Sequence, residues 1–155
     1  MQINMDAIQK FNQLGFKFEE PKLGQVTMPA DITELTSDQL AAKFTALTAW
    51  ADYIASKLTL AILEERQAQK LLDFEESKLL VTRMGASVRG ERVTTVKAQI
   101  SIDENIQALS QDYENKYAYR KMLEMLFTNH ERDISLISRE ITRRSNENRF
   151  TRKEF

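Results

Sequence analysis

From Leu40 onward, positions 40, 44, 47, 51, 54, 58, 61, 65, 68, 72, 75 and 79 step by four and three, and all are apolar except Glu65 and Glu75. Residues at that spacing line one face of a helix. Trp50, Tyr53, Ile62, Leu71, Phe74 and Leu80 widen the stripe beyond a two-stranded seam, toward the broad face that a bundle or oligomer needs. Thr36 followed by Gln39 forms a capping box, with Leu35 and Leu40 placed as a hydrophobic staple, so the helix is expected to begin at Ser37. Running to Thr82 it would be roughly 70 Å long, and the sequence leaves open whether it is continuous or broken near its charged centre.

A second stripe reads Ile106, Leu109, Tyr113, Tyr117, Leu123, Phe127, His130, Ile134, Ile137 and Ile141. Between the two stripes lies Arg83-to-Arg92, a turn with Gly85 and Gly90. The second helix starts at Thr94 or Thr95, or else at the cap-like cluster Ser101-Ile102-Asp103-Glu104. Two long helices joined by a short connection should lie antiparallel, with the end of the second near Leu40 and Phe44. The expected fold is therefore all-α: a long antiparallel helical hairpin over residues 36–155, preceded by an N-terminal arm over residues 1–35.

In the arm, Met5 to Leu14 can form a short helix with Ile8, Phe11 and Leu14 on one side, and Phe16-Lys17-Phe18 alternates like a strand. Pro21, Gly24 and Pro29 then break any regular element before residue 35. Three phenylalanines in such a segment imply packing, either on the chain's own helices or on a neighbouring subunit. Neither hairpin helix can bury its face alone, so oligomerisation is expected, with Phe11, Phe16, Phe18, Leu40, Phe44 and Trp50 at the interface.

Composition narrows the chemistry. Among 155 residues there are four Gly, two Pro and no Cys, which favours long helices and excludes disulfides and thiolate sites. No stretch reaches the length of an apolar membrane span, and the first residues lack the basic-then-apolar order of a signal peptide; a cytoplasmic location is the expectation. His130 is the single histidine and sits on the apolar stripe, where a hydrogen-bonded, partly buried ring is expected. The acids Glu64, Glu65, Asp73, Glu75 and Glu76 have no histidine beside them to suggest a metal site. With no Gly-rich phosphate loop either, the chain reads as a non-enzyme without a cofactor.

Charge is the remaining signal. The formal net charge is −1, yet residues 139–155 carry six Arg or Lys against three acids, and residues 83–97 carry four against one. Clustered cations on a nearly neutral chain mark candidate sites for a polyanion. Arg139, Thr142 and Arg143 share one helix face with Arg132 and Ser135, and Arg144 continues the charge. Phosphate backbones are held by cations and hydroxyls spaced along one surface. Glu140 and Glu147 stand where they could pair with these arginines and leave only a solvated face. Arg83, Arg89, Arg92 and Lys97 form a second patch at the turn, and Tyr119 with Arg120 forms an exposed pair on which bases could stack.

The order of these features resembles the UvsY-like recombination mediators of bacteriophages. The resemblance covers about residues 37–145 and rests on Trp50, Lys97, Asp103, Tyr117, Tyr119, Leu123, and Ser138-Arg139 followed by Arg143 and Arg144. The chain departs from that pattern at Glu140-Ile141-Thr142 and in its first 35 residues. The resemblance implies a non-enzymatic homo-oligomer, ring-forming in the family, that binds single-stranded DNA, contacts a single-strand-binding protein and helps load a RecA-type recombinase. The rival expectation is a coiled-coil scaffold or assembly adaptor of a phage with no nucleic-acid role.

Overall fold

The computed structural model describes residues 3–15, 19–22, 24–86 and 93–151. Every regular element among them is helical: α1 (Ile3–Gln13), a single 3-10 turn (Ile32–Glu34), α2 (Ser37–Ala86), α3 (Val93–Ser101) and α4 (Glu104–Thr151). Phe16, Phe18, Arg89 and Arg92 lie outside the described residues.

Three of the boundaries have a visible local cause. Gly15, at φ 85°, takes the left-handed conformation just beyond the end of α1. The capping box forms as its sequence predicts: the Thr36 N–H donates to Gln39 Oε1 at 2.9 Å, and the Gln39 N–H donates to Thr36 Oγ1 at 3.2 Å. α2 then continues unbroken through its charged centre, a point the sequence leaves open. Of the two candidate starts for the second helix, both are used. α3 begins at Val93, and the chain re-nucleates two residues beyond its end. There Asp103 donates its N–H to the Ile100 carbonyl at 3.0 Å and accepts the Asn105 N–H at 3.1 Å, which makes it the N-cap of α4.

The chain forms two compact units. The first takes residues 1–13 and 59–122. Its core is Leu72 of α2, Val96 and Ile100 of α3, and Ile106 of α4, with Leu79, Leu80 and Leu109 packed against them. The second takes residues 14–58 and 123–155. Its core is Leu40 and Leu47 of α2 with Ile137 of α4, joined by Phe44 and Ile134 and by four residues of the segment before α2: Val26, Met28, Ile32 and Leu35. This part of the arm therefore packs on its own chain. α2 and α4 pack on one another in each unit, and the heptad-spaced series Leu40, Leu47, Ile54, Ala61 and Ala68 is buried throughout.

Candidate nucleic-acid interface

On α4, positions 128, 132, 135, 139, 142 and 146 step by four and three and so share one face. They are Thr128, Arg132, Ser135, Arg139, Thr142 and Asn146. None is acidic. Arg132, Ser135, Arg139 and Thr142, at the centre of the run, are exposed or half-buried at its surface rather than in the core. Their face lies opposite Ile137, which is fully buried in the core of the second unit. Arg132 is 68% exposed, and its nearest carboxylate oxygen, on Asp133, is 3.9 Å from Nε, beyond hydrogen-bond reach. Among the described residues no carboxylate comes within ion-pair distance of Arg139. The Thr142 hydroxyl donates back to the Ser138 carbonyl at 2.9 Å and would have to rotate to serve another acceptor.

Arg143 and Arg144, by contrast, are engaged. Glu140 is buried to 7% exposure and receives two guanidinium groups. Arg143 donates Nε to Oε2 at 2.8 Å and Nη2 to Oε1 at 2.7 Å, while Arg144 donates Nε to Oε1 at 2.7 Å. Arg143 also reaches Glu147, and Arg144 donates Nη2 to the Thr33 carbonyl at 3.0 Å. The hydrogen bonds from Arg143, and next those from Arg144, hold the Glu140 carboxyl down to about 2. The same pairing raises Arg143 above its ordinary value. Two cations share one buried carboxylate here, with the exposed Glu147 as a further counter-charge.

In the first unit Arg83 and Arg120 are also tied. Arg83 pairs with Asp103 at 3.1 Å, which links the last turns of α2 to the start of α4. Arg120 forks onto Glu65, with both side chains only 15% exposed, so it is not the free partner of Tyr119 that its sequence neighbourhood suggests. The Arg120 guanidinium stands instead 5.1 Å from the Tyr117 ring centroid, with the Lys121 ammonium at 5.9 Å. Lys97 is exposed and lines a cavity of about 350 Å³ together with Glu76, Ser77, Leu80, Ile100 and Ser101.

The interface residues read from the sequence divide similarly. Leu40 has no exposed surface to offer a second subunit, because its own core takes all of it. Phe44 packs against that core. Trp50 is half-buried, lies edge-on to Tyr53 and donates Nε1 to the Gly24 carbonyl at 3.3 Å. Phe11 is half-buried on α1. Phe74, on the widened stripe, is by contrast 63% exposed, and Val81, one heptad on, is 74% exposed. His130 is half-buried, with Nδ1 2.9 Å from the Leu126 carbonyl, the arrangement expected of it.

Among the described residues no group of three or more His, Cys, Asp or Glu is placed to hold a metal ion, and no helix is long and apolar enough to cross a membrane. No protein-family model matches the chain, and no curated protein or solved structure is significantly similar to it.

Proposed function

We propose that this chain is a non-enzymatic, antiparallel helical hairpin that oligomerises and holds the backbone of single-stranded DNA along the outer face of α4, acting as a recombination mediator for a RecA-type recombinase. The observation that carries the reading is the acid-free stripe from Thr128 to Asn146. It offers two exposed guanidinium groups a heptad apart, flanked by hydroxyl and amide groups, over about 27 Å of helix. Such a surface suits a regular chain of phosphates and reads no bases. The recombinase and the single-strand-binding protein enter as partners through the resemblance alone.

Oligomerisation is supported by area. The chain exposes 11880 Å², whereas a folded monomer of 18.0 kDa exposes about 8,000 Å². The outward pair Phe74 and Val81 gives a second copy an apolar place to cover part of that excess.

The test is fluorescence anisotropy of a labelled oligothymidylate across a salt series, with Arg132→Ala/Arg139→Ala compared to the wild type. The double variant should bind more weakly and lose salt dependence, because each phosphate contact contributes roughly 0.7 to the slope on a single strand. Equal binding by both proteins would remove the stripe from the mechanism.

A second reading, a scaffold or adaptor with no nucleic-acid role, is favoured by the internal pairing of Arg83, Arg120, Arg143 and Arg144. It predicts no binding of the oligonucleotide even at low salt.

A further inference from the structure

Within the first unit, α2 and α3 wall a cleft with matched sets of side chains. Glu76 and Ser77 stand one turn before Leu80 on α2, and Lys97 stands one turn before Ile100 and Ser101 on α3. Each wall supplies one charge, one hydroxyl and one aliphatic side chain, and the two charges are opposite. Ile100 is buried and Leu80 is half-buried against the same core, which makes the base of the cleft apolar. Glu76, Ser77, Lys97 and Ser101 are exposed. Although Glu76 and Lys97 line one cleft, neither forms an ion pair with the other or with any other described residue. Ser101 gives its hydroxyl hydrogen to the Ala98 carbonyl at 2.8 Å, so its oxygen remains as an acceptor. The Ser77 hydroxyl has no partner among the described residues.

Opposite charges that share a cleft without meeting favour an occupant that answers both. The volume, about 350 Å³, is at the small end of the range of roughly 300–1,000 Å³ for small-molecule sites. The polar groups sort by role. The Lys97 ammonium and the Ser77 hydroxyl can donate to a carboxylate, while the Glu76 carboxylate and Ser101 Oγ can accept from an ammonium. Each end of a zwitterion would then be held by one residue from α2 and one from α3. An aliphatic side chain on the same molecule would bury its surface on Leu80 and Ile100. Glu76 counts against a phosphate chain here, because it sets a like charge at the cleft that Lys97 lines. We infer that this cleft binds a free aliphatic α-amino acid of about the size of leucine. The α4 stripe belongs to the second unit and takes no part. Because the ligand is gripped from both helices, its binding should stabilise the fold by mass action.

The experiment is isothermal titration calorimetry of the full chain with L-leucine, with the melting temperature followed in parallel. Leucine should bind saturably and raise the melting temperature as its concentration rises. Three analogues dissect the recognition: leucinamide lacks the carboxylate, 4-methylpentanoate lacks the ammonium, and glycine lacks the aliphatic side chain. Each should bind about tenfold more weakly than leucine, or worse. Lys97→Met and Glu76→Gln should each weaken leucine binding by about the same factor, with helicity unchanged because both side chains are exposed. The wild-type series decides the matter even if a variant folds poorly. Absence of saturable binding up to the solubility of leucine overturns the assignment. So does equal binding of any analogue, or undiminished binding of leucine by both variants. Oligothymidylate binding tests the α4 stripe and not this cleft, so either reading can fail alone.

Discussion

Arg120 grips Glu65 across a separation of 55 positions, and both side chains are largely withdrawn from solvent. A buried ion pair is costly to break, because the survivor keeps a charge that water no longer reaches. Arg120→Ala or Glu65→Ala should therefore lower the unfolding free energy by about 2–4 kcal/mol. Replacing both with leucine should restore stability to within about 1–2 kcal/mol of the wild type. Urea denaturation of the three variants checks this.

This pair also marks how far the sequence can be read. Glu65 stands out in it, with Glu75, as a break in the apolar stripe, but its answering residue does not. The register of α4 against α2 depends on the connection, where α3 and the Asp103 cap intervene. Both starts of the second helix have chemical grounds, the threonines for one and Asp103 for the other, and the chain uses both. The capping box is legible because it is wholly local. So is the pairing of Arg143 and Arg144 with Glu140, set by i+3 and i+4 spacing. The Thr33 carbonyl is not, because a backbone acceptor leaves no mark in a sequence.

The acid limb of stability should report Glu140. Its carboxyl sits at about 2 in the fold against an ordinary 4.5. A lowered value means that the ionised form stabilises the fold. That contribution is fully present above about 4.5 and is lost as the pH falls toward 2. Asp31 is lowered too, by the Thr33 hydroxyl and then the Thr33 N–H, and acts in the same direction. Urea midpoints measured from neutral pH down to 2 should fall more steeply for the wild type than for Glu140→Gln.

Arg139 and Arg144 should separate binding from stability. Arg139 is exposed and has no ion pair among the described residues, so Arg139→Ala should weaken oligothymidylate binding several-fold with a melting temperature unchanged within about 1 °C. Arg144→Ala removes bonds to Glu140 and Thr33 and should lower the melting temperature measurably. Parallel anisotropy and thermal melts would expose the reverse pattern if the assignment is wrong.

Phe74 and Val81 should govern assembly. Phe74→Ser/Val81→Ser removes two exposed apolar side chains from one face of α2 without touching the buried stripe. Light scattering should show a smaller assembly at equal concentration, with helicity by circular dichroism unchanged. An undiminished mass would move the contact elsewhere.

The core of the second unit should be intolerant of truncation. Leu40→Ala or Ile137→Ala leaves a void beside fully buried neighbours and should cost about 2–5 kcal/mol. Thermal or chemical denaturation measures it directly.

The shared burial of Leu40 and Ile137 has a consequence for biosynthesis. The two lie roughly a hundred positions apart, a long loop to close before any reward arrives. As the chain emerges from the ribosome, Leu40 and Leu47 must wait for their partner until Ile137 has been translated. A slowly translated message would lengthen the time for which these side chains stay uncovered.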